Sequence, residues 1–438
     1  MSTDNPFYHR GAIRNAADFY GREAETKQIL GLLRNGQSVS LIGPRRIGKS
    51  SLLMHLCRPQ ARQQHNIAAN RILFVMIDCQ EIGGSPPEEV YEALLTGLMD
   101  VANDAGVSLN AGPGHPASYR TLDRLLRQLS QQDIAVVVLL DEFELLAGNE
   151  HLTPYFFARL RGLTTKYGLA YLTASQRPLF ALTASEEILS SPFFNIFVTL
   201  PLGLFTQEEA HGLLANRLAA GNVQFTPALR DYLLHLIGTH PFFLHIAGYH
   251  AFQVLAQGQP LSTVVHFAQL DDPIEVEAGS HLGYLWQNLT STEQYALAIA
   301  DGPIDSLRLL EQQCLLEQEN GRYRYTNDIL RRFVRRQEVA GLIQAGPFVI
   351  DQQRHQVWAN GQEIGLTTSQ FNILARLCEL EGQVVPGNDL ETAVWGDVLV
   401  NDPDRLKTLI KRLRRAIDPY DVWIISERGV GYALRPPE

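Results

Sequence analysis

The stretch SVSLIGPRRIGKSSLLMHL constrains this chain more than any other. Residues 38–43 form a short apolar, β-branched run, and residues 50–56 have the pattern of a helix. Between them, Gly43-Pro44-Arg45-Arg46-Ile47-Gly48-Lys49-Ser50 fits the spacing G-x-x-x-x-G-K-[ST]. The glycines let successive backbone N–H groups curve around phosphate oxygens at a helix N-terminus, where an anion is favoured. Lys49 is placed to hold the β- and γ-phosphates and Ser50 to ligate Mg²⁺, with Ser51 beside it. A chance glycine-rich turn seldom has both a strand before it and a helix after it.

Such a loop needs a parallel sheet, and the sequence supplies one. Residues 71–78 (RILFVMID), 134–141 (IAVVVLLD) and 169–175 (LAYLTAS) are near-continuous apolar runs, the mark of strands buried on both faces. Helical patterns lie between them, so the expected fold is an α/β P-loop core. Asp141 ends the third run, where a carboxylate reaches Mg²⁺ directly or through water. Glu142 is the candidate to orient or deprotonate a water. Capping of the next helix is the plainer role for this pair, and it is the weaker reading after such a loop. Glu144 reads as a solvated helix residue.

The chain has 438 residues, 45% hydrophobic and 19% charged, with a formal net charge of −10. This is the balance of a multidomain protein with sizeable cores, and it excludes a chain coated with nucleic acid all over. The longest apolar run, Ile134–Leu140, is too short to span a bilayer, and the opening MSTDNPFYHRG has no basic-then-apolar pattern. The expectation is a cytoplasmic protein away from membranes. Cys57, Cys79, Cys314 and Cys378 form no Cys-x-x-Cys pair and are expected as buried free thiols.

Four segments follow from the pattern changes: an α/β core over 1–200, a helical lid over 201–280, a winged-helix-like linker unit over 281–340 and a further domain over 344–438. ENGRYRY marks a hairpin at Asn320-Gly321 in the third, and Asn360-Gly361 marks another in the fourth. The last segment also contains DRLKTLIKRLRRAI. There Leu406, Ile410, Leu413 and Ile417 fall at helical spacing, with Lys407, Lys411, Arg412, Arg414 and Arg415 off that stripe. The plain reading is a solvated charged face.

FYGREAE, GPRRIGKSSLL, LLDEFE, TASQRP and GTHPFFL occur in the order seen in P-loop ATPases of the STAND/archaeal-type branch, relatives of AAA+ proteins. The chain resembles that family from about Asp18 to its middle. The likeness implies ATP or ADP with Mg²⁺, and Tyr20, Gly21, Arg22 and Pro241 beside the nucleotide, with His240 near the base. It puts Ser175 or Arg177 at the γ-phosphate sensor position. Arg45 and Arg46 face either phosphate or solvent.

The C-terminal stretch resembles the OmpR/PhoB-type winged-helix DNA-binding domain. It carries the Leu-Thr opening, Phe371, Leu374, Val394-Trp395-Gly396, the Leu-Arg-Arg pattern and the terminal Arg-Gly-Val-Gly-Tyr. The family lays its basic helix in the major groove of double-stranded DNA. By that likeness Lys407, Lys411, Arg412 and Arg415 are helix contacts, Arg428 is the wing contact, and Thr367 and Thr368 donate to phosphate. Leu409 departs from the family, where a polar residue is common.

The joint expectation is an ATP-dependent, nucleotide-switched transcriptional regulator with slow hydrolysis. A replication-initiator or helicase-loader ATPase is one rival, and a DNA-sensing ATPase of a defence or mobile-element system is another. A scaffold that binds nucleotide without turnover is a third. Homo-oligomerisation on ATP or DNA, and the signal or protein partner, are left open.

Overall fold

The computed structural model describes residues 5–8, 10–68, 70–111, 116–182, 192–218, 223–396 and 404–437. It divides into two compact units: Met1–Leu234 with Thr239–Phe267, and His235–Gly238 with Ala268–Glu438.

The first unit is built on a parallel sheet of β1 (Ser38–Ile42), β2 (Ile72–Asp78), β3 (Ala135–Asp141), β4 (Ala170–Ser175) and β5 (Phe197–Pro201), in the order β2-β3-β4-β1-β5. The expected runs form β1 to β4. β5 escapes notice because it is a short edge strand with its side chains largely exposed, so it lacks the apolar signature of a buried strand. The order sets β4 between β1 and β3, so the ends of those three strands converge on one rim.

Helices cover the sheet: α1 (Glu23–Arg34), α2 (Lys49–Cys57), α3 (Pro87–Asp104), α4 (Tyr119–Ser130), α5 (Phe143–Ala147) and α6 (Pro154–Tyr167). α4 illustrates why they form. The Ser118 side chain caps the Thr121 N–H, and Leu122, Leu125, Leu126 and Leu129 recur on one face, which is buried in the core with Val136 and Val138 of β3. α7 (Gln207–Asn216), α8 (Pro227–Ile237) and α9 (Pro241–Ala256) follow β5. Phe7 of the N-terminal strap is fully buried against Gly248 of α9, where an added Cβ would lie 2.5 Å from its ring.

The second unit starts with α10 (Asp271–Gln287), α11 (Ser291–Ile299), α12 (Ile304–Gln312), the hairpin β6 (Leu316–Glu319) and β7 (Arg322–Tyr325), and α13 (Asp328–Arg335). Asn320 and Gly321 both take positive φ, as the Asn-Gly signal requires. Asp271 of α10 pairs with Arg332 of α13 at 2.8 Å, which ties α10 to this unit. The sequence reading divides that helix between lid and linker.

A four-stranded antiparallel sheet follows: β8 (Leu342–Ala345), β9 (Phe348–Asp351), β10 (Gln356–Ala359) and β11 (Gln362–Glu363), in the order β11-β10-β9-β8. Then come α14 (Thr368–Glu379), β12 (Val384–Pro386), α15 (Gly387–Trp395), α16 (Arg405–Ala416), β13 (Ile424–Glu427) and β14 (Gly431–Leu434). Phe371, Leu374, Leu390, Leu406, Ile410, Leu413 and Ile417 share one core, so the stripe expected on α16 faces inward. This is a winged helix: three helices closed by the β13–β14 hairpin. Cys79 and Cys378 are buried free thiols. Cys57 and Cys314 are only partly buried, which corrects the expectation for those two.

Candidate functional site

A cleft of about 330 Å³ opens at the rim where β1, β3 and β4 end. The loop that follows β1 lines it from Arg45 to Gly48. Gly43 is required by close packing, since an added Cβ would sit 2.6 Å from the Leu202 carbonyl oxygen. Arg46 and Gly48 both have positive φ, which folds the loop back on itself. Lys49 opens α2 and is only 9% exposed. Its Nζ donates to the carbonyls of Gly43 at 2.7 Å and Pro44 at 3.0 Å, so both loop oxygens turn inward. Burial pulls the ammonium below its ordinary pKa, against the opposing pull of Glu144, Asp141 and Glu142. Arg45 and Arg46 line the cleft, and the Arg46 guanidinium stacks 4.2 Å over the Phe242 ring. Gly43 and Pro44 do not line the cleft, while Ile47, Gly48, Ser50 and Ser51 do. The Ser51 hydroxyl accepts the Ile13 N–H at 2.9 Å.

Asp141 is buried at the end of β3. Burial raises its carboxyl pKa, and a hydrogen bond from Ser50 works in the opposite direction. The two residues expected to share a cation both line the cleft, Ser50 from the start of α2 and Asp141 from the end of β3. Glu142 sits in the left-handed region at φ 50°, and its carboxylate accepts the Gln80 Nε2–H at 2.5 Å. Glu144 lines the same cleft, which corrects its reading as a solvated residue. The first turn of α5 carries it inward. Burial raises its pKa, and one carboxylate oxygen is buried without a hydrogen-bond partner. Its link to Lys49 had no signal in the one-dimensional pattern.

At the end of β4, Ser175 Oγ donates to the Arg177 carbonyl at 2.8 Å. The Arg177 side chain is exposed and is absent from the cleft lining, whereas its neighbour Gln176 lines it. At this strand end Gln176, and not Arg177, is therefore the side chain that meets the cleft.

The far end of the cleft is aromatic and apolar, with Phe19, Tyr20, Phe205, Leu213, Pro241 and Phe242. Tyr20 lies against Gly212, where an added Cβ would be 1.9 Å from its hydroxyl. Gly21 has φ 71°, and the Arg22 N–H donates to Glu209 at 2.8 Å. The buried Arg22 guanidinium donates to the carbonyls of Gly203 and Ile47 and lies 4.6 Å over the Phe205 ring. Arg22 thus braces the loop against the segment that leads into α7. Pro241 is the first residue of α9, and His240 before it caps the helix by accepting the Phe242 N–H. His240 is not in the lining, and His245, one turn on, is. Arg10 to Ile13 also line the cleft, a contribution that no motif announces.

In the second unit, Lys407, Lys411, Arg412 and Arg415 project from α16 into solvent, and Arg428 is exposed in the hairpin turn. Lys407 pairs with Asp404 at 3.1 Å. Two further cations of the basic run are structural. Arg405 lies 3.5 Å over the Trp395 ring, and Arg414 donates to the Ile424 carbonyl and to Ser426, which pins β13 to the helix. Thr367 caps α14 in a reciprocal box with Gln370, so its hydroxyl already serves the helix, while Thr368 is exposed beside it. Leu409 is half-buried and packs on the core.

The family described as Novel STAND NTPase 2 matches residues 26–302. The chain belongs to that family. In this STAND NTPase, residues 361–434 match a second family, described as Transcriptional regulatory protein, C terminal. The molecule therefore joins a STAND NTPase domain to a DNA-binding domain of the OmpR/PhoB type. The C-terminal stretch is similar to the sensory transduction protein RegX3 of Mycolicibacterium smegmatis, at 38% identity over 97 residues, which is 22% of this chain and 42% of that protein. It is also similar to the response regulator ArlR of Staphylococcus aureus, at 32% identity over 108 residues, 24% of this chain and 49% of that one. The chain thus spans less than half the length of these relatives.

Among solved structures, a Walker-type ATPase of Pyrococcus abyssi aligns with a TM-score of 0.55 and 18% identity, over 75% of this chain and 99% of that one. The ORC2 protein of Aeropyrum pernix, determined in ADPNP–ADP complexes, aligns with a TM-score of 0.51 and 13% identity, over 75% and 96%. These likenesses bear on the fold of the STAND NTPase. Among the described residues, no helix is long and apolar enough to cross a membrane.

Proposed function

We propose that this STAND NTPase is an ATP-dependent transcriptional regulator whose nucleotide state sets its affinity for double-stranded DNA. One observation carries the proposal: a cleft that brings the buried Lys49 together with Ser50 and Asp141 shares a chain with a helix that turns Lys407, Lys411, Arg412 and Arg415 to solvent.

The residues of the cleft fit a magnesium-bound nucleoside triphosphate. The buried Lys49 ammonium has only neutral carbonyls as hydrogen-bond partners, which is the environment an anionic phosphate would improve. Ser50 and Asp141 supply the hard oxygen donors that Mg²⁺ prefers, and the aromatic end has the character of a base pocket. Ser50 and Asp141 would hold Mg²⁺, which would supply positive charge to offset the charge that develops on the phosphates.

The residues of the chain have distinct assignments. Lys49 binds phosphate, and the Arg45 to Ser51 backbone orients it. Glu142 takes a proton from a water once Gln80 lets it go, and Gln176 senses the distal phosphate. Tyr20 and Pro241 flank the base, while Arg22 braces the loop. On the reader, the exposed cations of α16 and Arg428 contact DNA, with Thr368 at a phosphate. Base contacts specify the site and phosphate contacts position the helix.

The test has two parts. Purified protein is assayed for phosphate release from ATP with Mg²⁺, and its chromosomal sites are mapped by footprinting with and without the protein. Turnover together with protected promoters supports the reading. Absence of both turnover and protected sites contradicts it, and protection confined to a replication origin moves the assignment to an initiator.

A further inference from the structure

The four-stranded sheet β8–β11 is covered on both faces. Phe348, Ile350, Val357 and Ala359 face the core beneath α14. Val349 and Trp358 face the other way and pack with Ile299 at the end of α11, with Tyr295 and Leu342 alongside. Polar contacts close the rim of this patch. The Tyr295 hydroxyl donates to buried Asp351 at 2.6 Å, and Arg354 donates to the same hydroxyl at 3.2 Å. The linker unit is therefore packed on the reader within one compact unit.

Asn360 is the point where this neighbour reaches the basic helix. It occupies the Asn-Gly turn at φ 51°, between β10 and β11. Its Oδ1 accepts from Arg331 at 3.2 Å and from Arg335, both on α13. Its Nδ2 donates to the Tyr420 hydroxyl at 2.7 Å. The two guanidinium donors require the carbonyl end of the amide on their side, so the N–H end must face Tyr420. Tyr420 stands just past α16. Its N–H donates to the Ile417 carbonyl at 2.8 Å, and its ring meets Phe348 edge-on at 6.0 Å. A continuous chain of contacts thus runs from α13 through one amide to the C-terminal foot of α16.

We infer that Asn360 is a positioning residue of the DNA reader, through which the linker unit holds the pose of α16 by way of Tyr420. The inference rests on the DNA-binding reading for its consequence, but the restraint itself is measurable without DNA. A change that shifts α13 pulls on the amide oxygen, and the other end of the same rigid group is attached to the helix foot. Base contacts from α16 need a set orientation in the groove, whereas contacts to phosphate tolerate a looser one. Loss of the restraint should therefore fall on specific binding more than on non-specific binding.

The experiment uses the full chain with Tyr420→Phe, which deletes only the hydroxyl, and Asn360→Ala, which removes both ends of the link. Glu363→Gln, at an exposed residue of the same hairpin, is the control. Amide hydrogen exchange over residues 411–423 is measured without DNA, and affinities for a specific and a scrambled duplex are compared. In Tyr420→Phe, faster exchange at the foot of α16 is expected. Its specific affinity should fall about 3- to 10-fold, the worth of one hydrogen bond, with scrambled binding unchanged. The control should match the parent in both assays. Unchanged exchange together with an unchanged specific-to-scrambled ratio in Tyr420→Phe overturns the inference, even if Asn360→Ala fails to fold. If the parent binds neither duplex, the DNA-binding reading fails, and the exchange data alone decide whether the restraint exists.

Discussion

Replacing Lys49 with alanine is the perturbation whose size follows most directly from the cleft. The ammonium now makes two bonds to loop carbonyls, at 2.7 and 3.0 Å. With three donors, it can turn toward a phosphate while giving up one of them. An ammonium about 4 Å from a single phosphate charge gains about 4 kcal/mol at an effective dielectric near 20. The carbonyl bond released costs about 1.5 kcal/mol. The net loss in Lys49→Ala is then about 2.5 kcal/mol, roughly 70-fold in Kd for ATP. Titration calorimetry with ATP and Mg²⁺ measures it, and near-ultraviolet circular dichroism checks that the fold is intact. A change below about threefold in a folded variant would refute the assignment of Lys49 to phosphate, because it falls short of the worth of a single charge-assisted bond.

Other expectations separate the roles of neighbouring residues. Glu142→Gln should bind ATP and fail to hydrolyse it, while Gln80→Ala, which frees Glu142 from its 2.5 Å bond, should raise phosphate release about 2- to 10-fold; parental turnover in both variants would remove Glu142 from the chemistry. Burial holds the Glu144 carboxyl above its usual range, so the stability it contributes is present in acid and is lost as pH rises through the folded value. Glu144→Gln should therefore gain stability relative to the parent as pH rises above the ordinary glutamate range, and a pH-independent difference in denaturant midpoints would contradict that. Lys411→Ala should lower the salt slope of DNA binding by about one. Arg414→Ala, which loses the bond to Ile424, should instead lower unfolding stability by about 1–2 kcal/mol, as urea titration reads it.

The parts of the fold that were legible in the sequence are those fixed by local chemistry. Buried strands with near-continuous apolar runs, the loop spacing between Gly43 and Ser50, the Asn-Gly turns and the stripe on α16 each leave a signal within a few residues. What could not be read depends on long-range geometry. Glu144 looks like a surface helix residue until the start of α5 turns it toward Lys49. The pattern points to Ser175 or Arg177 at the end of β4, yet the residue there that lines the cleft is Gln176. The basic run reads as uniform charge, yet Arg405 and Arg414 are held by an aromatic ring and a strand carbonyl, and only the packing tells them from the exposed four. Arg10 to Ile13 join the cleft only because Phe7 anchors the strap in the notch at Gly248. Val349 and Trp358 alternate with core residues as an exposed face would, and their burial requires the linker unit.

The central claim is that nucleotide state and DNA affinity are coupled in one chain. Its most direct measurement is the affinity of the full-length Glu142→Gln protein for its mapped site with ATP, with ADP and without nucleotide. Coupling predicts a difference between the ATP and ADP states of about 1–3 kcal/mol, roughly 5- to 150-fold, and an equal tightening of ATP by the specific duplex. Identical DNA affinities in all three states, with nucleotide binding verified in the same samples, would contradict it.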